Sequence, residues 1–273
     1  MKNLLLLFVS IFFISCSRDI PTPVQRFETA SNLAKDLNKE IFHTQTFDIF
    51  SYQKNLTCKD EMSVYIEGDG LAWITPSRIS DNPTPLNPLA LKLMVQDNST
   101  CKIYLARPCQ YVKSKMCSEQ YWTNERFSPK VIQTYEQILD MLIEKYGVKE
   151  FNLYGFSGGG TVATLLAANR KDIKQLVTIA GNLDIDFWTK KHYLTPLTGS
   201  LNPANFSQEL SSVKQIHLIG EEDNVIDQSV FDSYKKHFTN TKNIHAISFS
   251  SYSHICCWDK KWKEILEDIE SFK

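Results

Sequence analysis

The pentapeptide Gly155-Phe156-Ser157-Gly158-Gly159 constrains this chain more than any other stretch, because of what flanks it. Before it, Glu150-Phe151-Asn152-Leu153-Tyr154 reads as a strand. After it, Thr161-Val162-Ala163-Thr164-Leu165-Leu166-Ala167-Ala168 is small and apolar, which suits a helix packed closely on a sheet. A Gly-x-Ser-x-Gly sequence between strand and helix predicts a nucleophile elbow, a turn so sharp that the serine backbone is strained. Any Cβ at Gly155 or Gly159 would then collide with neighbouring backbone. The Ser157 hydroxyl is held clear of the sheet, and the N–H of Gly158, at the positive end of the helix, is aimed at the same point.

The rest of the chain supplies material for a sheet around that elbow. Strand candidates are Phe47 to Tyr52, Met62 to Ile66, Lys102 to Leu105, Phe151 to Tyr154, Gln175 to Ile179, Gln215 to Ile219 and Ile244 to Phe249. Most are short and apolar on both faces, as buried parallel strands are. Helical patterns run from Arg26 to Lys39, Pro88 to Val95, Pro129 to Tyr146, Gly158 to Asn169, Gln228 to Phe238 and Trp258 to Phe272. This alternation predicts an α/β fold: a doubly wound, mostly parallel sheet with helices on both faces. The first two strands are expected to form an antiparallel hairpin. Residues 182–212 are expected to form a small cap, in which Trp188, His192 and Tyr193 are candidates for a substrate pocket.

A serine hydroxyl in water is a poor nucleophile, so it needs a base to take its proton and a carboxylate to orient that base. At an elbow of this kind both follow in sequence, the acid in a loop after a later strand and the histidine after the last strand. His217 and His245 fall in or at the start of strands, His237 on a helix, and His43 far upstream. His254, in Ser251-Tyr252-Ser253-His254, is the candidate base. For the acid, Asp223 follows the strand ending at Ile219; Asp227 has an alternative role as a helix N-cap, and Asp184 is the runner-up acid. The second oxyanion donor is expected from the loop after an earlier strand, where Glu67-Gly68-Asp69-Gly70 makes the Asp69 N–H the candidate. Its carboxylate is unfavourable beside a developing anion, so its side chain is expected to point away.

The ends and the cysteines bear on location. Residues 1–15 read as a signal peptide, with Lys2 followed by an apolar run from Leu4 to Ile14 that is short for a membrane span. Residues 16–273 suffice for one α/β domain, with a tether at 16–25. Of the 7 cysteines, Cys16 is the candidate lipid-bearing residue, and the other six read as disulfides of an exported protein. Cys58–Cys101 and Cys109–Cys117 are the preferred pairs, with Cys256 and Cys257 bonded to each other or elsewhere. Metal binding is the rival reading of the cysteines, but no Cys-x-x-Cys or spaced histidine pair accompanies them, and no cofactor is expected. A net charge of −1 with scattered basic residues gives no nucleic-acid groove.

The order Gly155-x-Ser157-x-Gly159, Gly220-x-x-Asp223-x-Val225 and a late His254, with Glu67-Gly68-Asp69-Gly70 upstream, resembles the α/β-hydrolase superfamily over nearly the whole of residues 16–273. Ile66-Glu67-Gly68-Asp69-Gly70, Arg107-Pro108-Cys109-Gln110-Tyr111, Tyr121-Trp122-Thr123 and Ser200-Leu201-Asn202-Pro203 are similar to a group of exported bacterial α/β-hydrolases. Phe13-Ile14-Ser15-Cys16 resembles a lipobox, which implies acylation of Cys16, and Ser17 after it implies delivery to the outer membrane. Glu67 departs from the histidine usual in lipase-type oxyanion loops, and Ile226 from the proline often found three residues after the acid. The resemblance implies a serine hydrolase acting on a small acyl substrate, a carboxylester or thioester, and anchored to the periplasmic face or cell surface. A peptidase or amidase on the same fold, and a non-catalytic surface binding module, are the alternatives.

Overall fold

The computed structural model describes residues 20–54, 58 and 60–272. The signal segment and Cys16 lie outside these. The described residues form ten strands: β1 (Asn38–His43), β2 (Asp48–Gln53), β3 (Glu61–Ile66), β4 (Trp73–Thr75), β5 (Arg78–Ile79), β6 (Lys102–Leu105), β7 (Glu150–Phe156), β8 (Ile173–Ile179), β9 (Gln215–Gly220) and β10 (Ile244–Phe249). The α-helices are α1 (Pro23–Leu33), α2 (Leu89–Gln96), α3 (Pro129–Tyr146), α4 (Gly158–Asn169), α5 (Ile185–Lys191), α6 (Ser207–Leu210), α7 (Gln228–Lys235) and α8 (Trp262–Ser271).

Eight strands form one sheet in the order β1-β2-β6-β3-β7-β8-β9-β10. From β6 to β10 all neighbours are parallel, and β1 and β2 add an antiparallel edge. The central strands β3, β7 and β9 are buried almost end to end, which is why they read as continuous apolar runs. Two cores lie on opposite faces. One holds Val131, Ile138 and Leu142 of α3, Val162 and Leu166 of α4, and Phe231 and Tyr234 of α7. The other holds Ala30 of α1, Leu89 and Leu93 of α2, and Trp262, Ile265 and Ile269 of α8.

Three expectations need correction. The first helix ends at Leu33, and Asn38–His43 is a strand. Only Phe42 of β1 is buried, so this edge strand carries no apolar run to mark it. The antiparallel hairpin is β1–β2, not the pair Phe47 to Tyr52 and Met62 to Ile66, because β6 inserts between β2 and β3. The last helix begins at Trp262, after a short 3-10 turn from Trp258 to Lys260. Disulfides join Cys58 to Cys101, Cys109 to Cys117 and Cys256 to Cys257. The first of these ties the starts of the parallel neighbours β3 and β6. Among the described residues, no helix is long and apolar enough to cross a membrane.

Candidate active site

Ser157 follows β7 and caps α4 at φ 51°, a conformation that L-residues rarely adopt. Packing explains the glycines around it. A Cβ on Gly155 would overlap the Gly159 carbonyl, and a Cβ on Gly159 would overlap the carbonyls of Ile66 and Glu67. The loop after β3 therefore lies directly on the elbow.

Ser157 Oγ is 3.0 Å from His254 Nε2, and His254 Nδ1 is 2.8 Å from Asp223 Oδ2. The other carboxylate oxygen, Oδ1, accepts the N–H groups of Val225 and Ile226, each at 2.8 Å. Asp223 is thus fixed on both sides, with its side chain buried, while the His254 side chain keeps 16% exposure. The loop carrying His254 is anchored by Trp258, which has no exposed surface and donates its indole N–H to the carbonyls of Ser253 and His254. The runner-up, Asp184, is engaged elsewhere. It caps α5 by accepting the Phe187 N–H, and it accepts from Asn202 at 2.9 Å and Ser233 at 2.7 Å.

On the other side of Ser157 the loop Glu67–Gly70 is held at several points. Glu67 Oε1 accepts the N–H of Gly68 at 2.9 Å and of Ala90 at 3.4 Å. Burial raises the Glu67 carboxyl to about 7, against the lowering effect of those N–H groups. The side chain of Asp69 does not turn away from the elbow: a Cβ on Gly158 would overlap its Oδ1. The glycine makes room for the carboxylate, and two cations pair with it, Arg107 at 2.9 Å and Arg126 at 2.7 Å. Burial alone would raise the Asp69 carboxyl, but Arg126 and Arg107 outweigh it and hold it below the usual range. The N–H groups of Asp69 and Gly158 donate to no protein acceptor among the described residues.

A cavity of about 210 Å³ opens on Ser157 and His254. The Glu67–Leu71 loop, Pro85, Leu86, Phe156 and Ile255 form much of its wall. Trp188, His192 and Tyr193 do not line it. The Trp188 indole donates to the Val225 carbonyl at 2.8 Å and lies beside the His192 ring, and Tyr193 is 97% exposed. Segment 182–212 packs down through the buried residues Ile185, Thr189, Ala204 and Leu210. Among the described residues no group of three or more His, Cys, Asp or Glu is arranged to hold a metal ion.

The sequence matches no family model, and no curated protein is similar to it in sequence. Similar solved structures include an alpha-beta serine hydrolase homologue from Coxiella burnetii, 13% identical at TM-score 0.55, covering 84% of this chain and 94% of that one. Carboxylesterase NP (naproxen esterase) from Bacillus subtilis is 12% identical at TM-score 0.59, covering 92% and 96%. The esterase Pf2001 from Pyrococcus furiosus is 11% identical at TM-score 0.62, covering 89% and 93%.

The fold is that of the α/β-hydrolases.

On an α/β-hydrolase sheet, loops at the carboxyl ends of the parallel strands meet at one place. Here Asp69 follows β3, Arg107 follows β6, Ser157 follows β7, Asn182 follows β8, Asp223 follows β9 and His254 follows β10. Asn182 donates its N–H to the Ser157 carbonyl at 3.4 Å. Sequence pattern alone gives no role to Arg107, Gln110 or Arg126. The available signal was the position of Arg107 and Gln110 directly after a buried strand, at the end of the sheet where the elbow opens.

Proposed function

We propose that this protein is a serine hydrolase that cleaves a carboxylester or thioester through an acyl-enzyme on Ser157. The observation that carries the reading is the unbroken chain from Ser157 Oγ to His254 Nε2, 3.0 Å, and from His254 Nδ1 to Asp223 Oδ2, 2.8 Å. His254 takes the Ser157 proton as Oγ attacks the acyl carbonyl, and Asp223 fixes the ring and stabilises the imidazolium that forms. The negative charge developing on the carbonyl oxygen is met by the N–H groups of Gly158 and Asp69. His254 then returns the proton to the leaving alkoxide or thiolate. In the second half-reaction it activates the water that clears the acyl group.

Two observations favour a small ester or thioester over a peptide. The cavity of about 210 Å³ suits a short acyl chain, and esterases are among the structural neighbours. The three disulfides fit an oxidising compartment, and with the signal-like residues 1–15 they support export, with Cys16 as a lipid anchor holding the domain at the periplasmic face or cell surface. The test is labelling of the full-length protein with a fluorophosphonate probe. The reading predicts labelling of wild type and loss of it in Ser157→Ala and His254→Ala; absence of labelling in folded, oxidised wild type would leave the binding-module alternative in front.

A further inference from the structure

The Asp69 N–H stabilises charge only if the Gly68–Asp69 peptide faces the right way. A trans peptide is planar, so its C=O and N–H point in opposite directions. Turning this unit over changes ψ at Gly68, where no Cβ opposes the rotation, and φ at Asp69. Turned over, the unit would present the Gly68 carbonyl, a partial negative charge, where the oxyanion forms. Something must hold the carbonyl on the far side.

Among the described residues, one side chain does so. Gln110 Nε2 donates to the Gly68 carbonyl at 3.0 Å, and Gln110 Oε1 accepts the Arg107 N–H at 3.0 Å. Both ends of the amide are occupied, so its orientation is fixed: exchanging oxygen and nitrogen would set oxygen against oxygen and N–H against N–H. Gln110 has no exposed surface, so its amide is fully desolvated and is satisfied by these partners. An apolar side chain would fill the space without that desolvation, but it would leave the Gly68 carbonyl without its donor. The turn carrying Gln110 is itself braced. The Gln110 N–H donates to the Arg107 carbonyl at 3.1 Å, and the Cys109–Cys117 disulfide joins the turn to the loop that follows. Opposite the held carbonyl, the Asp69 N–H has no protein acceptor among the described residues, and Asp69 lines the cavity that contains Ser157.

We infer that Gln110 is a positioning residue for acyl transfer: by holding the Gly68 carbonyl it turns the Asp69 N–H toward the oxyanion formed at Ser157. This rests on the serine-hydrolase reading above. The chemistry itself is unchanged; Gln110 touches neither substrate nor the reacting atoms.

Gln110→Glu is the informative variant, because it keeps an oxygen for the Arg107 N–H and replaces the donor with a second oxygen. With a short-chain p-nitrophenyl ester and the full-length protein, kcat should fall about 100-fold, the usual loss for one oxyanion donor, with KM within about 3-fold. As pH is lowered, the introduced carboxyl gains a proton and becomes a donor again, so the ratio of variant to wild-type kcat should rise. Gln110→Met should lose activity similarly without that recovery. A folded Gln110→Glu with wild-type kcat beside an active wild type overturns the inference alone. A wild type inactive toward esters and unlabelled by fluorophosphonate overturns the serine-hydrolase reading and this inference with it. Should the variants not fold, a crystal structure of wild type with a short alkyl boronic acid decides. Asp69 N within about 3.2 Å of a boronate oxygen, with Gln110 still on the Gly68 carbonyl, supports the inference. A Gly68 carbonyl facing the boronate overturns it.

Discussion

The two sides of Ser157 are built differently. On one side stand His254 and Asp223, joined to the serine by a single line of hydrogen bonds, with the imidazole left 16% exposed. On the other side stands a backbone loop, Glu67 to Gly70, held by side chains that are almost wholly buried: Glu67 at 1%, Gln110 at 0%, Arg107 at 4% and Arg126 at 9%. In the proposed reaction the first side moves protons, which calls for ionisable groups in contact with one another and near solvent. In that reaction the second holds N–H dipoles still while charge appears beside them, which calls for rigidity. The chain achieves that by burying polar groups, which costs stability unless each is satisfied. Reactivity and preorganisation are therefore separable by mutation.

The largest expected effect is on the proton-moving side. Ser157→Ala should lower kcat by about a million-fold, and Asp223→Asn by about ten-thousand-fold, since the amide favours the wrong imidazole tautomer. Neither should change the urea midpoint as much as loss of a charge on the holding side. Arg126→Met removes one of the two cations on Asp69 together with the donor to the Thr123 carbonyl, and should destabilise the fold by about 2 kcal/mol, measured by urea denaturation. Equal stability losses for Asp223→Asn and Arg126→Met would erase the distinction.

Glu67 gives the most diagnostic effect. Its carboxyl is raised by burial from 4.5 to about 7, so between these values the native state binds a proton that the unfolded state has lost. Stability should therefore fall as pH rises from about 4.5 through about 7, by at most about 3 kcal/mol. Glu67→Gln should remove that slope and be more stable than wild type above pH about 7. Asp69 has the opposite sign. Its carboxyl is depressed, so its contribution is present above pH 3.8 and is lost as pH falls through the lowered value. Thermal melts of wild type, Glu67→Gln and Asp69→Asn across pH separate the two.

Much of the sheet and the elbow could be read from residues alone, because buried parallel strands and a glycine-flanked serine leave local patterns. Strand β1 could not, since an exposed edge strand with one buried side chain has no apolar signature. The clamp around Asp69 could not either. Arg107, Gln110 and Arg126 lie far from Asp69 in sequence, and an arginine or glutamine reads as a surface residue until the fold buries it. Gly158 held a clue to the direction of the Asp69 side chain, because a glycine after the nucleophile leaves space that the carboxylate fills. The candidate pocket residues Trp188, His192 and Tyr193 mark the opposite case. Aromatic composition in a cap-like segment says nothing of which way the rings face, and the indole of Trp188 is committed to the Val225 carbonyl.

The most direct test of the central claim is to trap the intermediate. Full-length wild type is mixed with a short-chain p-nitrophenyl ester, quenched in acid within milliseconds, and its mass and peptide map are measured. A burst of one nitrophenol per protein is expected, with an acyl adduct on the peptide containing Ser157 that is absent from Ser157→Ala. Turnover without that adduct or burst, undiminished in Ser157→Ala, would contradict that claim.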